Sequence, residues 1–225
     1  MKNILDITKM IFFPPRCVFC RKLCPNDLCL KCKSDIVRKF NPTIAKTIHK
    51  NVICASSFVY DGRIKEIIHM YKFRNQKSLF KIFVPFMIES INEKFKDIKF
   101  DLVTSVPIYI SSLNDRGYNQ SQIIGSEIAK NLNIPYENCI GKVKQNKVQH
   151  GLSFVERQEN VKGVYKVTKD YKGKNILLCD DIITTGATLS ECVKKLENSG
   201  ANVFCVTISY TLKGSFNEQR NHSSV

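Results

Sequence analysis

No apolar run in this 225-residue chain approaches the roughly 20 residues that a membrane-spanning helix needs. Insertion into a bilayer is therefore excluded as an expectation. The stretch Met1 to Pro15 is mildly apolar, but Asp6 and Lys9 interrupt it and no small-residue cleavage site follows. A secretory signal is not expected, and the chain should stay in the cytosol. Internal repeats and low-complexity segments are missing, which argues against a repeat architecture. Acidic residues are scarce beside basic ones, 20 against 35, giving a formal charge of +15 and a pI near 9.4. Two readings of that charge stay open. A basic surface suits a polyanion such as nucleic acid, and a Lys-, Asn- and Ile-rich composition makes a protein basic without any partner.

What is present is ordinary for a globular protein: 43% hydrophobic and 24% charged residues. The length allows one substantial core, or one core with a small appendage. The ten cysteines are less ordinary. Cys17, Cys20, Cys24, Cys29 and Cys32 fall within 16 consecutive residues, whereas Cys54, Cys139, Cys179, Cys192 and Cys205 are scattered, most of them among apolar neighbours. A disulfide framework would be spread more evenly and would need an oxidising compartment. Cys17-x₂-Cys20 and Cys29-x₂-Cys32, eight residues apart, instead give two chelating pairs for one tetrahedral Zn²⁺. A closed four-thiolate site points to a structural role. Cys24 is a fifth candidate ligand, and a dithiol redox pair is the alternative. Arg16, Arg21, Lys22, Lys31 and Lys33 lie in or beside the cluster, where they can meet a phosphate backbone.

Beyond the cysteines, residues 33–51 read as a helix plus connector, with Pro42 as the breaker. Val52 to Tyr60 suggests a strand, Asp61-Gly62 a turn, and Ile64, Ile67, Ile68 and Tyr71 a helix. Phe80 to Phe95 is helical with Pro85 inside it, and Phe100 to Val106 is a short strand closed by Pro107. Gln120 to Leu132 is an amphipathic helix, and 141–151 reads as a basic loop. Asn175 to Cys179 is a buried strand, Leu189 to Asn198 a helix, and Ala201 to Tyr210 a strand. Strands alternating with helices predict βαβ units in a parallel sheet. The expected division is a zinc module and connector over 1–50, an α/β domain over 51–212, and a polar, disordered tail over 213–225.

In such sheets ligands sit beyond the carboxyl ends of the strands. There the chain reads Leu178-Cys179-Asp180-Asp181-Ile182-Ile183-Thr184-Thr185-Gly186-Ala187-Thr188. Two adjacent carboxylates are costly unless solvated, paired or bound to something cationic or hydroxylic. They suit the two vicinal hydroxyls of a ribose, together with Mg²⁺. Gly186 lets consecutive N–H groups face one anion, Thr184, Thr185 and Thr188 add donors, and a helix start adds partial positive charge. Earlier, Arg116-Gly117-Tyr118-Asn119-Gln120 offers a guanidinium, an aromatic face and two amides before a helix. Arg116 suits pyrophosphate, and Tyr118, Asn119 and Gln120 suit a base or single-stranded DNA. The alternative is a polar loop capped by Asn119.

The Asp-Asp string resembles the 5-phosphoribosyl-1-pyrophosphate (PRPP) binding motif of type I phosphoribosyltransferases. That resemblance implies that Asp180 and Asp181 hold the ribose and that the loop from Thr184 through Ala187 to Thr188 holds the 5′-phosphate. It also implies that Ser105-Val106, at an earlier strand end, meets the pyrophosphate, with Lys72 as a further candidate. Over Phe13 to about Tyr210 the chain is most similar to the ComF family, associated with DNA uptake. The similarity is carried by Phe13-Pro14-Pro15-Arg16 with the cysteines, Tyr71-Lys72-Phe73, Val106-Pro107, Arg116 to Gln120, Gln149, Arg157, Asn160-Val161 and the Asp-Asp loop. Tyr118 stands where the family more often has Phe, and Asn114 where it often has arginine.

The resemblance implies a PRPP-binding protein of DNA uptake that handles single-stranded DNA and meets other uptake proteins. Two rival expectations use the same site. One is a Mg²⁺-dependent phosphoribosyltransferase, in which Asp180, Asp181 and Arg116 are catalytic. The other is a regulator that senses PRPP.

Overall fold

The computed structural model describes residues 14–73, 79–109, 113, 117–144 and 160–212, with backbone alone for 72 and 73. The chain divides between Phe40 and Asn41 into two compact units. In the first, helix α1 (Leu30–Val37) follows the cysteine turns and buries Cys32 and Ile36. The polar tail, Gln149, Arg157 and Asn114 lie outside the described residues, as does most of the basic loop.

The second unit is built on a five-stranded sheet. Its strands are β1 (Ala45–His49), β2 (Val52–Val59), β3 (Leu102–Ser105), β6 (Asn175–Ile183) and β7 (Asn202–Tyr210), in the order β1-β2-β7-β6-β3. The pairs β2–β7, β7–β6 and β6–β3 are parallel, and β1 joins β2 antiparallel. A separate hairpin, β4 (Ile140–Lys142) and β5 (Tyr165–Val167), pairs antiparallel. Among the described residues the remaining helices are α2 (Gly62–Phe73), α3 (Phe80–Lys94), α4 (Gln120–Leu132) and α5 (Ala187–Glu197).

The parallel core follows from composition. Strands β6 and β7 are buried at consecutive positions, Ile176–Cys179 and Cys205–Ser209, as expected where both faces are covered. Phe58 on β2 meets Phe83 and Phe86 of α3 edge-on, at 5.8 and 5.2 Å between centroids. Cys192, Val193 and Leu196 of α5 join Ile176, Leu178 and Cys205 in the core. All five scattered cysteines are buried. Burial pushes the thiols of Cys54, Cys179, Cys192 and Cys205 well up, so they behave as small apolar side chains.

Three local expectations are corrected. Residues 45–49 are an edge strand rather than connector, because Lys50 and Asn51 make a two-residue turn, with Lys50 at φ +45°, that lays Ala45–His49 back on β2. Gly141 and Lys142 belong to β4 rather than to a loop. Strand β6 runs four residues past Cys179, so Asp180 lies within the ladder, opposite Thr207 of β7.

Candidate functional site

The end of β6, the turn Thr184–Gly186 and the start of α5 enclose a cavity of about 200 Å³ lined by residues 180–189. Two features make the turn sharp. Thr211 donates to the carbonyls of Ile183 and Thr184 through its hydroxyl, at 3.3 Å each. Gly186 then takes φ +83° as the N-cap of α5, a conformation that a side chain would strain. The N-cap Gly186 has no side chain to cap that helix start, and no acidic residue lies in its first turn. Thr185 Oγ accepts from Ala187 N at 3.3 Å, within the turn itself. Backbone donors and a helix dipole therefore meet at the cavity, an arrangement that suits an anion.

The acidic pair lines the same cavity. Alternation along β6 sends the two carboxylates to opposite faces of the strand, so they sit in different surroundings. Asp180 is half-buried and accepts from Ser121 Oγ at 2.7 Å and from Asp181 N at 2.9 Å. Asp181 is buried, and its charge helps to raise the nearby Tyr71 phenol, after burial as the larger cause. Ser121 is a site residue that sequence reading missed. Its signal was local: the N-cap Asn119 accepts from Ser121 N at 3.1 Å, which places Ser121 in the first turn of α4.

The segment before α4 is tied down. Tyr118 is 6% exposed, its hydroxyl donates to the Tyr71 carbonyl, and its ring lies 6.0 Å from that of Tyr71. Tyr71 in turn donates to the carbonyl of Gln120 at 2.7 Å. Asn119 Nδ2 donates to Val106 O at 3.2 Å, and Gln120 is buried. These side chains thus hold the helix start to β3 and α2.

Ser105 and Val106 stand at the end of β3, where Val106 N donates to Cys179 O at 3.0 Å. Ser105 is buried, with its hydroxyl 2.7 Å from that of Tyr136. Gly125 permits that contact, since a β-carbon there would come 3.0 Å from the Tyr136 ring. Lys72 lies in α2, with its side chain outside the description, and Arg116 lies outside the described residues. From the hairpin, Tyr165 hydrogen-bonds Thr188, and burial pushes its phenol strongly up against that bond. Lys142 lies 5.7 Å from the Tyr165 ring centroid, and burial lowers its ammonium.

In the first unit, Cys17, Cys20, Cys29 and Cys32 bring their sulfurs within 4.8 Å of one another, and they can hold a metal ion. The sulfurs of Cys20 and Cys29 are 3.5 Å apart. Four thiolates at Zn–S distances of about 2.3 Å would stand roughly 3.8 Å apart, so the quartet fits a tetrahedral ion. Burial pushes Cys17 up, but N–H donors of Cys29, Cys20 and Phe19 outweigh it and bring the thiol down to about 6. The Cys32 N–H lowers Cys29 in the same way. Cys24 turns aside to the carbonyl of Asn26 at 2.9 Å, and burial raises it. No helix among the described residues is long and apolar enough to cross a membrane.

The family model described as a phosphoribosyl transferase domain matches residues 119–222, from the N-cap of α4 through the Asp-Asp loop and β7. Competence protein F of Haemophilus influenzae is 26% identical over 216 residues, covering 85% of this chain and 94% of its own. Competence protein ComFC of Streptococcus pneumoniae is 28% identical over 144 residues, 64% of this chain and 61% of its own. Among solved structures, an adenine phosphoribosyltransferase is similar over 84% of this chain and 92% of its own, with 14% identity and a TM-score of 0.46.

Proposed function

We propose a function from one premise: the chain belongs to the ComF family and carries a phosphoribosyl transferase domain. On this reading the cavity after β6 binds PRPP with Mg²⁺, in the service of DNA uptake and of single-stranded DNA. One observation supports it above the rest. Asp180, Asp181, the turn Thr184–Gly186, Ala187 and Thr188 all line a single cavity. The acidic pair suits ribose hydroxyls and the divalent ion that accompanies a pyrophosphate, and the amides of the turn suit the 5′-phosphate. Ser121, bonded to Asp180, would keep that carboxylate aimed at the sugar. Val106 and Ser105 lie at the neighbouring strand end, where the pyrophosphate would sit, with Lys72 and Arg116 as its cationic partners. Tyr118, Asn119 and Gln120 serve this site as the frame of α4. The four-cysteine unit carries a structural Zn²⁺, and its Arg16, Arg21, Lys22, Lys31 and Lys33 are the basic groups offered to DNA.

The family description supports a second reading, transfer of the phosphoribosyl group to a nucleobase or amine. The bond from ribose C1 to pyrophosphate would break as the acceptor nitrogen bonds to C1. Asp180 and Asp181 would steady the positive charge that develops on the sugar.

Calorimetric titration of PRPP with Mg²⁺ into wild type and Asp180→Asn/Asp181→Asn protein tests the binding. The variant should lose at least about 100-fold in affinity, the scale for two charge-assisted contacts. A single-strand DNA shift assay with added salt should show a steep loss of binding. Equal PRPP binding by both proteins would sink the assignment. Pyrophosphate release with a panel of bases separates transfer from binding alone.

A further inference from the structure

The edge strand β1 reaches the phosphate turn. Its burial alternates, with Ala45 and Thr47 exposed and Lys46 and Ile48 turned inward on one face. Lys46 Nζ donates to the carbonyl of Thr184 at 3.1 Å. Two residues on, Ile48 Cδ1 lies 3.6 Å from where a β-carbon of Gly186 would stand. Two inward residues of one strand thus support the first and last residues of the turn. The pairing of Lys46 with Cys54 of β2, against the sheet, holds that register.

We propose that Lys46 is a positioning residue of the 5′-phosphate site, supplied by β1. This rests on the reading of the cavity as a phosphoribosyl site. Two physical effects act together. In a trans peptide the C=O and the following N–H point opposite ways, so holding the Thr184 carbonyl at the ammonium turns the Thr185 N–H to the other side. The ammonium also brings a full positive charge to a turn whose other contributions are partial. Thr211 holds the same carbonyl but brings no charge. Lys46 therefore distinguishes a doubly charged phosphomonoester from a neutral or singly charged ligand.

The test uses the full chain and three probes: PRPP, ribose 5-phosphate and inorganic pyrophosphate, each titrated with Mg²⁺. Lys46→Met should weaken PRPP and ribose 5-phosphate alike, by about 10-fold, and leave pyrophosphate unchanged. Lys46→Arg, which keeps the charge, should stay within about threefold of wild type. Thermal unfolding of both variants checks that the sheet is intact. If Lys46→Met binds ribose 5-phosphate as wild type does, while Asp180→Asn/Asp181→Asn loses PRPP, the role of Lys46 is overturned and the site stands. If pyrophosphate weakens equally, Lys46 acts only as a general field and the assignment also falls. A wild-type protein that takes up neither PRPP nor ribose 5-phosphate overturns the site and Lys46 together.

Discussion

The cysteine quartet and the cavity after β6 are both convergences of donors, made in opposite ways. The quartet draws on 16 consecutive residues, and its four sulfurs face one another within 4.8 Å. The cavity is framed from four separate elements: β6 with its turn, α4 through Ser121, β1 through Lys46, and β5 through Tyr165. Its donors face a space rather than one another. A closed set makes its ligand part of the fold, because four thiolates have no other use for their charge. An open set keeps its shape through contacts behind the binding groups, so a ligand can come and go. One region should therefore fail when its ligand is removed, and the other only when its frame is.

The largest effect expected follows from that difference. Structural zinc in small four-ligand modules contributes on the order of 10 kcal/mol of folding free energy. Chelation, or Cys29→Ser with Cys32→Ser, should therefore open residues 14–40 to proteolysis while the five-stranded sheet of the second unit stays protected. Elemental analysis should give one zinc per chain, and Cys24→Ser should leave that number unchanged, since Cys24 bonds to Asn26. A chelated unit that still resists protease would favour a dithiol pair and erase the contrast.

The frame of the cavity gives the next effect. Tyr118→Phe removes the donor to the Tyr71 carbonyl, leaving a buried acceptor without that bond. The cost should be about 1–3 kcal/mol in the denaturation midpoint of the α/β unit. PRPP affinity should fall by about threefold to tenfold, because α4 carries the Ser121 hydroxyl that orients Asp180. A variant as stable as wild type but weak for PRPP would instead mean that Tyr118 touches the ligand, as a base-stacking ring would.

The two regions also differed in how far the sequence disclosed them. Cys17 to Cys32 was legible because its ligands are local, and spacing alone brings two pairs together. The turn Thr184–Gly186 and the span of α4 were legible for the same reason, glycine and N-cap chemistry being local. Strand β1 was not: Ala45–His49 is short, half polar and on an edge, so its pairing with β2 decides it more than propensity does. The Lys50–Asn51 turn was the one available signal. Missing β1 meant missing Lys46, a contact spanning 138 positions. The end of β6 was misplaced because two aspartates read as exposed loop, whereas pairing of Asp180 with Thr207 carries the ladder on to Ile183.

Glu137 sharpens the comparison from within the α/β unit, as the centre of a polar set whose groups bond one another. Its carboxylate accepts from Lys169 Nζ and from the Tyr171 hydroxyl, both at 2.6 Å. These bonds, Lys169 first, hold the carboxyl below its ordinary 4.5, and the same pairing holds Lys169 above its ordinary 10.5. The signs then differ at the two ends of the pH scale. The glutamate's contribution is present above 4.5 and is lost as pH falls through the lower folded value; the lysine's is present below 10.5 and is lost as pH rises through the higher folded one. Both side chains are partly exposed, so the stabilisation is modest. Glu137→Gln should therefore lower the melting temperature slightly at neutral pH and flatten its fall as the pH drops below 4.5. PRPP affinity should not change, because Glu137, Lys169 and Tyr171 are not among the residues that line the cavity after β6. A loss of PRPP binding with an unaltered pH profile would break the distinction between groups that hold the fold and groups that face the cavity.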